Sequence, residues 1–440
     1  MSARWARAVL ATYRWAGAAA YPFLGSYMAS RAGMGRDERS RRRERYGYSR
    51  IPRPAGPLVW IHAAGEAETA AVIGLVDTVL MHGIKVVLTT GTVSSAGLAA
   101  ERLGDRVIHQ FVPIDFKPAI SRFLDHWQPD LAIMAESEMW PMRILELGQR
   151  RVPQVLVNGR MSDRAFASWS KRYNIAEALF ENLSLVVAQS ERDAERFQKL
   201  GARPVKISGN LKVDVVPPPC DRAELQRVLD SVANRACWAA LRTMPGEEAA
   251  VADAHKRLKV RYPDLLSVVV PTDPQRGDEI AAALAESGLI VSRRGRGDAI
   301  TPKTDILLGD TRGETGIYAR LSEVAFVGGS LSACGGQNPL DSVLCGCAVL
   351  TGEDISYHRE IYQPLIDGGG VKLVKDSNML AGAVNYLLKN AAARRDMANA
   401  GQRAVGGMRG ALACTVRELE PFIHPLIVKA RLEEAGTARR

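Results

Sequence analysis

From Pro57 onward, short apolar runs alternate with longer amphipathic segments along the chain. Segments of helical length, such as 66–82, 115–127 and 162–181, separate the runs. Runs too short for helices, alternating with helix-length pieces, predict βαβ units and a parallel sheet. The runs in this half of the chain are "PLVWIHA" (57–63), "IKVVLTT" (84–90), "RVIHQFV" (106–112), "DLAIMAE" (130–136), "PQVLVNG" (153–159) and "LSLVVAQ" (183–189).

The stretch "VVPPPC" (215–220) interrupts this pattern, because three successive prolines cannot extend a helix or a central strand. The alternation then restarts with "ACWAAL" (236–241) and continues to "GVKLV" (370–374). Two α/β domains joined by a stiff linker are therefore expected, with ligands bound outside the carboxyl ends of the strands. The predicted boundaries are 1–50 for a basic amino-terminal segment, 51–214 for the first domain, 215–221 for the linker, 222–415 for the second domain and 416–440 for a terminal helix or tail.

Length and composition agree with two domains. The chain has 440 residues, so two cores of about 200 residues each are expected. Hydrophobic residues make up 47% and charged residues 24%, which is ordinary for a globular protein. The six cysteines are scattered and form no CxxC pair, which favours reduced thiols in a cytoplasmic protein.

The net charge of +10 is concentrated at the amino end, where residues 1–50 hold eleven arginines and three acidic residues. This asymmetry argues against a nucleic-acid groove along the whole protein and favours one basic end that meets an anionic partner. The apolar stretch 15–30 is shorter than the roughly 20 residues that span a bilayer, and "RSRRRERYGY" follows it instead of a cleavage site. We therefore expect residues 1–50 to lie on the anionic cytoplasmic surface of a membrane; the alternative is a buried helix with a solvated basic tail.

Acidic residues follow two of the predicted strands in the first domain. In "HAAGEAE" (62–68), Gly65 permits a tight turn and Glu66 falls in the first turn of a helix. The helix dipole stabilises a carboxylate there by about 0.3–1 kcal/mol, so Glu66 could serve as a base. The alternative is that Glu66, or Glu68, is a first-turn charge with no other task. In "AESEMWP" (135–141), Glu136 and Glu138 could share a site, or one of them could simply pair with an arginine.

Cations follow later strands of the same domain. "VNGRMSDRAF" (157–166) contains Arg160 and Ser162, which fit either a phosphate-binding loop or an exposed basic helix. Lys212 in "SGNLKVD" (208–214) is either a phosphate contact or only a hinge lysine.

The second domain contains a glycine-rich stretch, "GGSLSACGGQNPLD" (328–341), directly after an apolar run. A strand that ends in glycines and leads into a helix can bring backbone N–H groups to an anion; the alternative is a flexible turn. Asn338 and Pro339 are typical of a helix start, and Asp341 would fall in its first turn. "ALRTMPGEEAA" (240–250), "VVPTDPQRGDE" (269–279) and "LLGDTRGETG" (307–316) also follow strands.

Several motifs of other enzyme classes are missing from the sequence. It has no Asp-x-Asp motif and no His/Asp/Glu cluster with metal spacing, so a metal-dependent sugar transferase is not favoured. It also lacks a phosphate-binding loop of the Walker type and a nucleophile-elbow serine.

Taken together, these segments resemble the 3-deoxy-D-manno-octulosonic acid (Kdo) transferases of Gram-negative bacteria. The resemblance implies the GT-B architecture, in which two Rossmann-like doubly wound domains face each other across a cleft. It also implies an inverting, metal-independent enzyme without a cofactor, which takes Kdo from CMP-Kdo and passes it to a lipid A precursor at the cytoplasmic face of the inner membrane. The motifs are "YRW…RRRERYG", "WIHAAGE", "VPIDFKPAISRFLDHWQPDLAIMAESEMWP", "VPQVLVNGRMSDRAF", "ISGNLKVD", "LLGDTRGETG" and "VAFVGGSL…GGQNPLD".

The resemblance also implies roles for individual residues. Glu66 would take the proton of the acceptor hydroxyl, with support from Glu136 and Glu138, while Arg160 and Ser162 would bind the acceptor. The amide groups of the glycine-rich stretch would stabilise the departing cytidylate. The expected donor-binding residues are Lys212, Gly246, Glu247, Arg276, Gly313, Glu314, Gly328, Gly329, Ser330, Gly335, Gly336, Asn338 and Asp341.

This chain departs from the family's usual motifs at four places. "HAAGE" is two residues short, Ser-Thr-His is replaced by Arg242-Thr243-Met244, Pro-Arg-His-Pro-Glu-Arg by "PTDPQR", and His-Asn-Pro-Leu-Glu by Gln337–Asp341. These departures leave open a divergent paralog with another donor, another acceptor or lost activity. Two further alternatives are a non-catalytic sugar-nucleotide-binding or scaffold protein on the membrane, and a different GT-B chemistry such as sugar-nucleotide epimerisation.

Overall fold

The computed structural model describes Thr12, residues 38–233 and residues 235–437. The chain forms two compact units. The first, here called the N-domain, contains the residues up to Val215 together with those from Arg409 onward. The second, the C-domain, is Val216–Met408.

The N-domain is built on a sheet of seven parallel strands in the order β3-β2-β1-β4-β5-β6-β7. Strand order therefore reverses between β1 and β4, where Val59 pairs with Val86 on one side and Leu131 on the other. Its strands are β1 Leu58–Ala63, β2 Lys85–Thr90, β3 Ile108–Phe111, β4 Leu131–Ala135, β5 Gln154–Gly159, β6 Leu185–Ala188 and β7 Val205–Ile207. Its helices up to Val215 are α1 Glu66–Met81, α2 Val93–Leu103, α3 Lys117–Trp127, α4 Pro141–Gln149, α5 Asp163–Ser170, α6 Tyr173–Phe180 and α7 Glu191–Lys199, with short 3-10 helices at Arg39–Tyr46, Gly104–Arg106 and Leu211–Asp214.

Both faces of this sheet are covered, which explains why its strands read as continuous apolar runs. One face packs Ile61 and Ile133 against α1. The opposite face packs Trp60 and Phe123, whose ring centroids lie 4.6 Å apart.

The last helix of the chain, α16 (Ala411–Thr437), packs in the N-domain core. Asp214 fixes its start, because its carboxylate accepts hydrogen bonds from the backbone N–H groups of Gly410 (2.9 Å) and Leu412 (2.5 Å). Leu419 is completely buried against the N-domain sheet layer. This differs from the predicted boundaries, in which the second domain continues to residue 415 and 416–440 form a separate terminal helix or tail. Nothing in the local sequence of an amphipathic helix specifies which of two cores it covers.

The C-domain contains a second parallel sheet, in the order β10-β11-β9-β8-β12-β13-β14, which reverses between β8 and β12. Its strands are β8 Cys237–Thr243, β9 Leu266–Pro271, β10 Val291–Arg293, β11 Ile306–Leu308, β12 Val324–Val327, β13 Ala348–Thr351 and β14 Val371–Leu373. Its helices are α8 Arg222–Val232, α9 Glu247–Lys259, α10 Gly277–Glu286, α11 Thr315–Leu321, α12 Leu340–Leu344, α13 Arg359–Asp367, α14 Ser377–Lys389 and α15 Ala391–Met408, with 3-10 helices at Pro274–Arg276 and Arg294–Arg296. The predicted fold class, α/β with two doubly wound Rossmann-like domains, is confirmed.

Most of the predicted membrane segment, residues 1–11 and 13–37, lies outside the described residues. Its last part, Arg39–Tyr46, packs on the N-domain: buried Arg45 donates to the carbonyl oxygens of Gly91 and Val112, and Glu44 accepts from the N–H of Phe111. Some of the basic residues therefore have a structural task. Within residues 38–233 and 235–437, no helix combines the length and the apolar character that crossing a bilayer requires.

Candidate active site

Two glutamates at the start of α1 have different surroundings. The Glu68 carboxylate accepts hydrogen bonds from the backbone N–H groups of Ala64 (2.7 Å) and Gly65 (2.9 Å), so it caps the helix. Glu66 is exposed, and no hydrogen bond or ion pair reaches its carboxylate from the part of the chain that the structure describes. Of the two first-turn acids that the sequence left open, Glu68 therefore has the structural role.

Glu136 follows β4 and forms a buried ion pair with Lys212, with Oε1 and Nζ 2.6 Å apart. The Asn158 amide also lies 3.4 Å from this oxygen. Burial raises the pKa of the Glu136 carboxyl, and the charge of Lys212 opposes this shift. Both Glu136 (φ 59°) and Asn158 (φ 53°) adopt left-handed backbone conformations, which are uncommon for residues other than glycine. Lys212, expected to contact the donor, belongs to the N-domain and is already paired with this carboxylate.

Glu138 is engaged by a chain of polar groups that ends on buried Trp60. The indole N–H of Trp60 donates to the Thr89 hydroxyl (2.9 Å), and His62 Nδ1 lies 2.9 Å from that same hydroxyl. His62 Nε2 lies 3.1 Å from Glu138 Oε2, and the Trp140 indole donates to the same oxygen at 2.5 Å. An ionised carboxylate accepts only, so Nε2 must carry a hydrogen.

The electrostatics around Glu138 favour its ionised form. Burial alone raises the pKa of this carboxyl, but the hydrogen bond from His62 and the nearby Arg143 outweigh it and lower the pKa to about 2. Burial, and then the charge of Arg143, lower the pKa of His62. Glu138 is thus a fixed anion and His62 its donor, which makes neither of them a free base.

A cavity of about 200 Å³ opens beside this pair. Its charged lining consists of Arg45, Asp115, Glu138 and Arg143. Asp115 accepts hydrogen bonds from the first N–H groups of α4, those of Met142 (3.0 Å) and Arg143 (2.9 Å), so it caps that helix. Of these residues, the sequence analysis selected only Glu138. His62 could have been noticed as a histidine within an apolar strand, and Arg143 as an arginine on an otherwise apolar helix face.

The two predicted acceptor residues follow β5. The Ser162 hydroxyl caps α5 by accepting from the N–H of Ala165 (3.2 Å). The carbonyl oxygen of Arg160 accepts a hydrogen bond from the Ser137 hydroxyl (2.9 Å), which ties this loop to the one after β4. Acceptor binding by Arg160 and Ser162 stays a prediction.

In the C-domain, Glu247 occupies the centre of the glycine-rich turn. The residue is 1% exposed, and its carboxylate accepts four backbone hydrogen bonds. The donors are the N–H groups of Met244 (2.9 Å), Gly329 (2.6 Å), Ser330 (2.9 Å) and Leu331 (2.9 Å). The last three amides belong to the glycine-rich stretch, whose N–H groups were expected to stabilise the departing cytidylate. For these three N–H groups the expectation is wrong, because they already donate to the protein's own carboxylate.

The remainder of the glycine-rich segment is similarly closed by internal bonds. The N–H of Gly335 donates to Asp354 (2.7 Å), and that of Gly336 to the carbonyl oxygen of Gly329 (2.8 Å). The Asn338 side chain accepts from the N–H of Leu340 (3.0 Å), which fits its predicted place at a helix start. The following helix α12 has five residues. The segment is therefore an ordered turn and not a flexible one.

Predicted donor residues beside this turn also form ion pairs within the C-domain. Arg276 pairs with Glu248 (2.9 Å) and Glu279 (3.2 Å). The left-handed Gly246 (φ 94°) precedes α9, and Gly313 (φ 80°) precedes Glu314, which pairs with Arg294 (2.8 Å). Asp341 pairs with Arg242, a residue that the donor predictions did not include. Donor binding stays a prediction for these residues, and at Gly329 and Ser330 it would involve groups other than their N–H groups. The full set is Gly246, Glu247, Arg276, Gly313, Glu314, Gly328, Gly329, Ser330, Gly335, Gly336, Asn338 and Asp341. No group of three or more His, Cys, Asp or Glu side chains in the described parts of the chain is arranged to hold a metal ion.

Solved structures with this fold include nucleotide-sugar enzymes. A glycosyltransferase from Rickettsia africae aligns with a TM-score of 0.57 at 9% identity, over 84% of this chain and 99% of that one. The UDP-GlcNAc 2-epimerase from Neisseria meningitidis, bound to UDP-GlcNAc, aligns with a TM-score of 0.56 at 13% identity, over 82% of this chain and 99% of that one. At these identities the likeness shows the shared fold alone.

Sequence comparison identifies the family. Residues 40–215 match the model of the 3-deoxy-D-manno-octulosonic-acid transferase (kdotransferase) domain. The 3-deoxy-D-manno-octulosonic acid transferase of Haemophilus influenzae is 32% identical over 398 residues, which are 88% of this chain and 92% of that protein. This chain belongs to the Kdo transferase family, and it is a glycosyltransferase.

Proposed function

We propose that this enzyme transfers Kdo, or a related acidic sugar, from a CMP-linked donor to the lipid A precursor used in lipopolysaccharide synthesis. The reaction is a single inverting displacement that requires no metal ion. The acceptor hydroxyl loses its proton to a carboxylate, its oxygen forms the new bond to the anomeric carbon, and CMP departs with the electrons of the bond that breaks. Family membership supports the sugar, and the surroundings of the acidic residues support the mechanism.

The observation that carries the proposal is the contrast between Glu66 and the other acids at this edge of the N-domain sheet. Glu68 caps α1, Glu136 pairs with Lys212, and Glu138 holds His62. Glu66 alone among these four has an exposed carboxylate without a bond from any described residue. A general base must be able to reach the proton that it removes, so Glu66 is assigned as the base.

The engaged acids have supporting roles in this proposal. Glu136 forms a buried ion pair with Lys212, and Glu138 accepts a hydrogen bond from His62, both at the end of β4 and next to the strand that leads to Glu66. They fix the loop that follows β4, and with it the position of Ser137 against Arg160. A loop held in this way gives the acceptor a defined surface.

The proposed location is the cytoplasmic face of the inner membrane, where residues 1–50 bind the anionic surface. Eleven arginines in that segment support this assignment. The structural role of Arg45 shows that the segment also contributes to the N-domain.

The test is E66Q in the purified full-length enzyme. CMP release from CMP-Kdo is followed with a lipid A precursor in detergent, with and without a chelator. Because the base is lost while size and shape are retained, we expect kcat to fall by roughly 10²–10⁴-fold with little change in the affinity for CMP. The chelator should leave the wild-type rate unchanged.

E191Q is the matched control, since Glu191 is also exposed and also begins a helix, α7, on the same domain. It should retain wild-type turnover. Full activity in E66Q would disprove the assignment of the base. A wild-type enzyme that releases nucleotide from a UDP-linked donor but not from CMP-Kdo would disprove the proposed donor.

A further inference from the structure

We propose that Arg242, oriented by Asp341, binds the anionic group of the donor in the C-domain. This inference rests on the proposed function, because it assumes an acidic sugar nucleotide as the donor. The ligand chemistry is an anionic oxygen group, supplied by either the phosphate of the nucleotide or the carboxylate of the sugar.

Arg242 lies at the point where the strand order of the C-domain sheet reverses. It is the second-last residue of β8, next to β12, and ligands of doubly wound sheets bind outside the strand ends at this point. The glycine-rich turn approaches Arg242 closely, since a Cβ atom on Gly328 would lie 2.6 Å from the carbonyl oxygen of Arg242. The position of Arg242 is thus coupled to the turn that follows β12.

The backbone of Arg242 is left-handed, with φ 58°. For a residue other than glycine this conformation costs of the order of 1 kcal/mol or more and is concentrated at ligand-binding and active sites. Arg242 keeps this conformation while its guanidinium lies 2.9 Å from the Asp341 carboxylate.

The ion pair is accessible, since the two side chains are 32% and 27% exposed. A guanidinium has five N–H donors in a planar fork, so it can hold a carboxylate and a second anionic group together. Asp341 then acts as a positioning residue, because it fixes the direction of the fork before the donor arrives.

The other groups at this end of the sheet that could bind the donor's anionic group are less accessible than Arg242. The amides of the glycine-rich turn are filled by Glu247. Arg276 is held by two glutamates, and its side chain is 17% exposed. Arg242 is more exposed, with 32% of its side chain accessible against 17% for Arg276, so an anion can approach it more readily.

The experiment is isothermal titration calorimetry of the full-length chain with cytidine, CMP and CMP-Kdo, using wild type, R242Q and R242K. A lost charge-assisted contact should weaken CMP binding by roughly 10- to 100-fold in R242Q, while cytidine binding stays the same. R242K keeps the charge and should restore much of the affinity. R257Q is the matched control, because it removes one positive charge from an exposed ion pair on α9 of the same domain.

The outcomes separate the two sources of the anion. A loss for both CMP and CMP-Kdo assigns Arg242 to the phosphate, whereas a loss for CMP-Kdo with unchanged CMP binding assigns it to the sugar carboxylate. Unchanged affinity for all ligands in R242Q, or equal weakening of cytidine and CMP, would overturn the inference. If the wild type binds no CMP, the proposed function itself fails. If the wild type binds CMP and R242Q binds both CMP and CMP-Kdo as tightly as the wild type does, only the role of Arg242 fails.

Discussion

Replacement of Glu247 by glutamine tests whether this carboxylate holds the glycine-rich turn of the C-domain. One carboxylate oxygen accepts from Met244 and Gly329, and the other accepts from Ser330 and Leu331. Glutamine keeps the shape but turns one oxygen into an NH2 group, which donates and cannot accept. Whichever way the amide faces, two buried N–H groups lose their acceptor.

The expected cost follows from the number of orphaned donors. An unsatisfied buried donor costs about 1–3 kcal/mol, so E247Q should lower the free energy of unfolding by about 2–6 kcal/mol. For a domain of this size, 1 kcal/mol corresponds to about 2–4 °C in Tm, which predicts a decrease of roughly 4–24 °C.

The measurement is differential scanning calorimetry of the full-length protein, with the transition of the C-domain assigned by its response to CMP. E286Q serves as the control, because Glu286 is exposed on α10 of the same domain and its change should stay within about 0.5 kcal/mol. An E247Q protein as stable as E286Q would refute the view that this carboxylate holds the turn. Loss of stability with unchanged CMP affinity would show that the turn contributes to folding and not to donor binding.

Two further predictions concern the N-domain. L419A should lower the free energy of unfolding of the N-domain by about 2–5 kcal/mol in urea denaturation, because Leu419 is fully buried. V428A, on the exposed side of α16, should change this free energy little. Equal effects of the two substitutions would show that α16 does not belong to this core. Burial, and then the charges of Arg41 and Arg45, lower the pKa of His109 to about 4, so the unfolded chain takes up a proton below pH 6.5 that the folded protein does not. The stability that neutral His109 contributes is therefore present above pH 6.5 and lost as pH falls towards 4. H109Q should flatten the acid side of the curve of unfolding free energy against pH. An unchanged slope in H109Q would contradict this assignment.

Much of the fold could be predicted from the sequence because it is written in local patterns. Continuous apolar runs such as "LVWIHA" end at turns, and helices begin at residues with a clear start signal, such as Pro141. The destination of α16 could not be predicted in this way. It depends on contacts with residues more than 300 positions earlier, for example those between Leu412 and Gly74, and an amphipathic face does not name its partner.

The candidate site shows a related limit. Residue type and position after a strand selected Glu66, Glu136, Glu138 and Glu247, but they could not distinguish a carboxylate that meets a ligand from one that caps backbone N–H groups. A cluster of backbone N–H groups can bind either the Glu247 carboxylate or a phosphate, because both are anions that accept several hydrogen bonds. Only the three-dimensional arrangement shows which anion is present.

The two proposed charges occupy corresponding places in the two domains. Glu66 follows the first strand of the N-domain sheet, and Arg242 lies at the end of the first strand of the C-domain sheet. Glycosyl transfer develops a positive charge on the acceptor hydroxyl as it attacks and a negative charge on the departing nucleotide, so the reaction requires one fixed group of each sign. Glu136, Glu138 and Glu247 are engaged within their own domains, the first by the charge of Lys212 and the others by hydrogen bonds from His62 and from backbone N–H groups. Glu66 is exposed and Arg242 is partly exposed, so both can be reached by a substrate. Loss of each should affect a different step: proton removal for Glu66 and retention of the donor for Arg242.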